Sequence, residues 1–111
     1  MIPAAIAAAL GECVALVNAE AGRAVEQVVA ELRATRTDER DAILLLIGSD
    51  VPVLDRALLR AAIGPLAVEL APAKRINAID ITRDAAEGDV IAAARFLATA
   101  GSTTGQLIEL R

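Results

Sequence analysis

Histidine, tyrosine and tryptophan are absent from this 111-residue chain, and cysteine, methionine and phenylalanine occur once each. Without histidine, the commonest general base and the commonest zinc ligand disappear together. With a single cysteine, no metal-ligand spacing survives. Cys13 cannot close an internal disulfide and fits a reduced compartment; on an apolar helix face it reads as core rather than as a nucleophile. Phe96 is the sole aromatic, lysine and arginine are scattered singly, and the net charge is −4. Nucleic acid therefore finds neither a stacking platform nor a basic stripe. No apolar run reaches the roughly 20 residues that a membrane-spanning helix needs, because charges interrupt every candidate. The N-terminal IPAAIAAAL has the length of a signal h-region, but no positive n-region precedes it and Glu12 follows closely. The expectation is a cytoplasmic protein with no membrane and no nucleic-acid partner.

What is present is apolar surface. Hydrophobic residues make up 56% of the chain, much of the surplus being alanine, and the length suits one domain, residues 1–111. A chain this short buries a modest fraction of its surface, so such a composition points to contacts beyond its own core.

Pro3 suits a first helical turn, and Ile6, Leu10, Cys13, Val14 and Val17 recur at helical spacing until Asn18 interrupts them. A second helical run, Ala19 to Ala34, carries Ala21, Val25, Val28, Val29 and Leu32 on one face. After the polar loop Thr35 to Arg40, the run Ala42 to Ile47, AILLLI, reads as a strand buried on both faces. The segment Leu54 to Ala71 predicts a helix apolar around most of its circumference, hence covered on more than one side. Leu54, Leu58 and Ala62 line one of its sides. Pro65 lies within it, costing the bond to residue 61. Strand Ile76 to Ile81, helix Asp89 to Thr99, the turn Gly101 to Gly105 and strand Gln106 to Leu110 complete the order. The pattern is α/β, with three parallel strands and flanking helices.

Four blocks in the second half carry a family likeness: Leu66-Ala-Val-Glu-Leu-Ala-Pro72, Arg75-Ile-Asn-Ala-Ile79, Asp89-Val-Ile-Ala-Ala-Ala-Arg-Phe-Leu-Ala-Thr99 and Thr104-Gly-Gln-Leu-Ile-Glu109. In this order they resemble the C-terminal half of a short-chain dehydrogenase/reductase (SDR). Leu16 to Leu32 resembles the family's fourth helix, placing Asn18 on a functional asparagine, and Ala42 to Ser49 resembles its fifth strand, placing Ser49 on the functional serine. The resemblance implies a Rossmann-like half-domain, three layers deep.

The departures matter as much. No GxGxxG-like turn is available to seat a dinucleotide pyrophosphate; Gly101 to Gly105 follows a helix and enters a strand, the wrong context. Counting back from Glu69, Pro52 stands where the family's catalytic tyrosine would be and Arg56 where its lysine would be. Arginine does not replace a lysine that tunes a proton donor. Past Ile79, Asp80-Ile81-Thr82 replaces the family's Pro-Gly loop. The resemblance thus implies no catalytic residue, no metal and no bound cofactor, with NAD or NADP held only if a partner subunit supplies the site. Asn18 and Ser49 are then remnants.

The family's helices four and five usually build a four-helix bundle between subunits. That implies a non-catalytic, degenerate subunit, homo-oligomeric or paired with a full-length SDR, whose interface uses Val25, Val28, Val29, Leu32, Leu54, Leu58, Ala62 and Leu66. In the family order AILLLI also has a neighbour strand that the three-strand reading lacks, leaving an apolar edge to be covered. A second reading is a composite NAD(P)-dependent site to which Asn18 and Ser49 contribute. A third is small-molecule binding at the strand ends near Gly48, Asp50 and Asp80.

Overall fold

The computed structural model describes residues 2–10 and 14–110. Helix α1 (Ile2–Leu10) leads into β1 (Val14–Ala19), α2 (Val25–Ala34), β2 (Ala42–Ile47), α3 (Val53–Leu70), β3 (Arg75–Ile81), α4 (Glu87–Thr99) and β4 (Leu107–Leu110). The four strands pair in parallel in the order β1-β2-β3-β4.

The sheet has four strands, not the expected three, because Val14–Ala19 is a strand and not the end of the first helix. Val14, Leu16 and Val17 are as compatible with an extended, two-sided buried segment as with a helical stripe, and tertiary pairing decides between them. Each residue of β1 stands opposite one of β2, from Val14 against Ala42 to Ala19 against Ile47. The second helix consequently begins at Val25 rather than Ala19, after a turn, and Asn18 is the penultimate strand residue rather than a helix break. Cys13 lies outside the described residues.

Strand alternation divides the core in two. Ile43, Leu45 and Ile47 of β2 face α2 and α3 together with Ala15, Val17, Ala19, Ile76 and Ala78; Leu44 and Leu46 face α1 and α4 together with Ile79 and Ile81. Every residue of β2 is buried. The three-layer expectation therefore holds, with helices on both sheet faces. Gly105 takes φ 73° in the turn before β4, where a Cβ would stand 3.2 Å from that of Ala67; a side chain there meets both strain and crowding.

β2 has neighbours on both edges, which corrects the expectation of an uncovered AILLLI edge; the edge strands of the sheet are β1 and β4, and β1 is the one beside β2. The Gly48 N–H donates to the Ala19 carbonyl (2.9 Å), so by alternation the even-numbered carbonyls of β1 address the open side. Two of them are taken. Arg40 Nη1 donates to Val14 O (3.1 Å) and Arg23 Nη1 to Asn18 O (2.7 Å). Guanidinium groups at an edge discourage further strand pairing.

At the N-terminal ends of the strands, Lys74 is buried and its Nζ donates to the carbonyls of Asp38 and Arg40. Arg40 in turn holds Asp38 through Nε (2.8 Å) and Nη2 (2.6 Å). Arg75 closes the C-terminus of α4, donating to Ala100 O (2.8 Å), Leu97 O (3.2 Å) and Ala98 O (3.2 Å), carbonyls that a helix end leaves without partners.

The Arg40 hydrogen bonds hold the Asp38 carboxyl well below the usual carboxylate range. A folded-state pKa below the unfolded value, ordinarily about 3.9, contributes stability that is complete above that value and is lost as pH falls through the folded one. Asp38→Asn should therefore lower the urea midpoint by a constant amount at neutral pH, with the gap to the parent closing only as the pH falls below about 4. A gap independent of pH down to acid unfolding would contradict the ionic assignment.

Candidate functional site

The C-terminal ends of the parallel strands, where α/β sheets place ligands, hold two distinct sites on opposite faces. On the α3 face, alternation along β3 puts Asp80 on the same side as Ile76 and Ala78, beneath the first turns of α3. Asp80 is 2% exposed. Arg56 donates to its Oδ1 and, through Nη2, to Gly48 O (2.8 Å) and Val51 O (3.3 Å). Arg60, one helical turn later, donates to Asp80 Oδ2 (3.2 Å) and pairs with Glu109 (3.2 Å). Four charges thus stitch α3 to the ends of β3 and β4. A small cleft of about 290 Å³ opens beside them, with Ser49, Thr82 and Arg83 on its walls.

On the other face lies a cavity of about 480 Å³. The N-terminus of α1 forms one wall with Ile2, Pro3 and Ala4, the ends of β1 and β2 supply Asn18, Ala19 and Leu46, and Ile81 lies behind. Gly48, Ser49 and Asp50 of the turn after β2, with Glu20 after β1, form its rim. Asn18 Oδ1 is buried without a hydrogen-bond partner. Among the described residues neither lysine nor arginine lines this cavity.

Of the residues singled out from sequence, Asn18 and Ser49 are brought together on the wall of this cavity, whereas Pro52 and Arg56 are not part of it. Pro52 is exposed at the N-terminus of α3. Arg56 is committed to Asp80 and two carbonyls. Among the described residues no group of three potential metal ligands converges, and no helix is long and apolar enough to cross a membrane.

The interface residues divide. Val28, Leu32 and Leu66 are buried in the protein's own core and are unavailable to a partner, a correction that follows from α2 and α3 both packing on the sheet. Val25, Val29 and Ala62 are partly buried against that core. Leu54 and Leu58 face outward. Arg60 and Glu109 take no site role from the sequence, although the i, i+4 spacing of Arg56 and Arg60 on one helical face is legible there.

Breaking a buried ion pair by removing one partner strands a charge, while replacing both by apolar groups is often close to neutral. Asp80→Leu leaves Arg56 without its carboxylate and should destabilise the fold by about 3 kcal/mol, and the double variant Arg56→Met, Asp80→Leu should recover most of that loss in urea denaturation. Equal stabilities for parent and single variant would show that the pair holds nothing.

Neither curated proteins nor solved structures include a significant match to this chain. A family model described as short chain dehydrogenase-like protein, SDR-like, matches residues 5–110. With nearly the whole length covered, and a parallel Rossmann-like sheet beneath it, this chain belongs to the SDR-like family.

Proposed function

We propose that this chain is a non-catalytic SDR-like subunit that assembles through the outer face of α3, with itself or with a full-length short-chain dehydrogenase/reductase, and so scaffolds an active partner. The observation that carries this reading is the exposed face of that helix. Leu54 is 69% exposed and Val68 80%; with Leu58, Ala61 and Pro65, also exposed, they follow a spacing of four and three residues along one stripe. Val53, 85% exposed, widens it at the N-terminal end. A surface stripe of large apolar side chains on a helix is what a helix-packing interface requires, and leaving it in water is unfavourable.

The chemistry of the strand ends supports the non-catalytic half of the proposal. Arg56, at the position of the family's lysine, spends its donors on Asp80 and two carbonyls. Among the described residues, the rim of the larger cavity carries the carboxylates of Glu20 and Asp50 and no lysine or arginine, a poor setting for a dinucleotide pyrophosphate. A composite NAD(P)-dependent site is the second reading, favoured by the common cavity wall that Asn18 and Ser49 share.

Native mass spectrometry of the chain, alone and with a full-length reductase, tests the proposal. The parent should form a complex, and Leu54→Glu with Val68→Glu should abolish it while circular dichroism stays unchanged, since neither side chain is in the core. A parent that remains monomeric under every condition would overturn the proposal. NADH titration separates the readings: the isolated chain should show no saturable fluorescence change, while a composite site would bind only in the complex and would lose binding on Asn18→Ala.

A further inference from the structure

Proline inside α3 leaves a hydrogen-bond acceptor in the middle of its outer face. Pro65 has no N–H, so the Ala61 carbonyl lacks the donor that the residue four positions on gives other carbonyls of a helix interior. α3 contains no serine, threonine, asparagine or glutamine whose side chain could supply one. At about 100° per residue, Ala61 stands at the centre of the exposed stripe, with Ala57, Gly64 and Val68 to one side and Leu58 and Pro65 to the other. In the isolated chain water satisfies that carbonyl. A partner seated on the stripe displaces the water and has to replace its hydrogen bond.

Gly64 shows that the face leaves room for a close neighbour. Glycine within a helix costs stability relative to alanine, yet a Cβ built at Gly64 meets nothing within 4 Å. The packing of this chain does not require the missing side chain. Bare backbone at Gly64, beside Ala57 and Ala61, lets a second helix axis come near the free carbonyl.

A second copy of this face does not meet the need. Its stripe offers aliphatic side chains and no side-chain N–H or O–H, and the charged residues that flank it, Arg60 and Glu69, are engaged in ion pairs. Two copies packed face to face about a twofold axis at Ala61 would bury two carbonyls with no donor between them.

We propose that the occupant of the α3 face is a helix of a different protein chain, apolar along one stripe, with a neutral side-chain donor at its middle, a hydroxyl or a carboxamide, that hydrogen-bonds to the Ala61 carbonyl. This inference rests on α3 being the assembly face and selects a heterologous partner over a second copy.

Two synthetic amphipathic helices of about five turns test the proposal against the full chain in proton–nitrogen correlation spectra. Both are rich in alanine and leucine on one face and in glutamate and lysine on the other, and they differ only in a serine or an alanine at the middle of the apolar face. Both should shift α3 amides saturably, and the serine peptide should bind about tenfold more tightly. Pro65→Ala supplies the missing N–H, so it should raise the urea midpoint and bring the two affinities together. Equal affinities for the two peptides in the parent, a serine advantage that survives Pro65→Ala, or no saturable shift with either peptide would each overturn the proposal. Self-association of the chain that Leu54→Glu with Val68→Glu abolishes would overturn it as well, while leaving α3 the assembly face.

Discussion

The structure depends on β2 being wet nowhere. A six-residue strand with aliphatic side chains on both faces requires a helical layer on each side and a hydrogen-bonded neighbour on each edge. α2 and α3 provide one cover, α1 and α4 the other, and β1 and β3 take the edges. Once that strand is enclosed, alternation fixes what each neighbour presents: Asp80 emerges toward α3, and Asn18 toward α1. The two sites at the strand ends are consequences of the same parity.

The polar groups at the two ends of the sheet serve different purposes. At the N-terminal ends, Lys74, Arg40 and Asp38 tie the loop before β2 to the turn before β3, satisfying carbonyls that would otherwise be stranded. At the C-terminal ends, Arg56 and Arg60 neutralise a buried carboxylate and lock the start of α3 over β3. A guanidinium held by a buried carboxylate and two carbonyls is poorly suited to tuning a proton donor, so a structural role at this position competes with a chemical one.

Much of this was legible in the sequence, for physical reasons that differ from element to element. AILLLI reads as a central strand because its continuous apolar run is bounded by Asp41 and Gly48, and the four family blocks place the later elements within one or two residues. The first strand is hidden in the sequence because Leu10, Val14 and Val17 continue the helical spacing of the residues before them, and only its pairing with β2 separates the two. Asn18 and Ser49 both line the larger cavity, a proximity that comes from the pairing of β1 with β2. The partnership of Arg56 with Asp80 joins residues far apart in the chain and follows from strand parity, which periodicity alone does not reveal. Val28 and Leu32 read equally well as interface or core, because an apolar helix stripe looks the same whether a sheet or another subunit covers it; here the sheet does.

The central claim is that α3 offers a docking face while the sheet beneath it has exchanged reaction chemistry for structural ion pairing. Hydrogen–deuterium exchange across α3, from low to high micromolar concentration and with a full-length reductase added, addresses it most directly. Amide protection should rise along residues 53–70 as assembly proceeds, while exchange at β2 stays unchanged. Exchange along α3 indifferent to both concentration and partner would contradict the account.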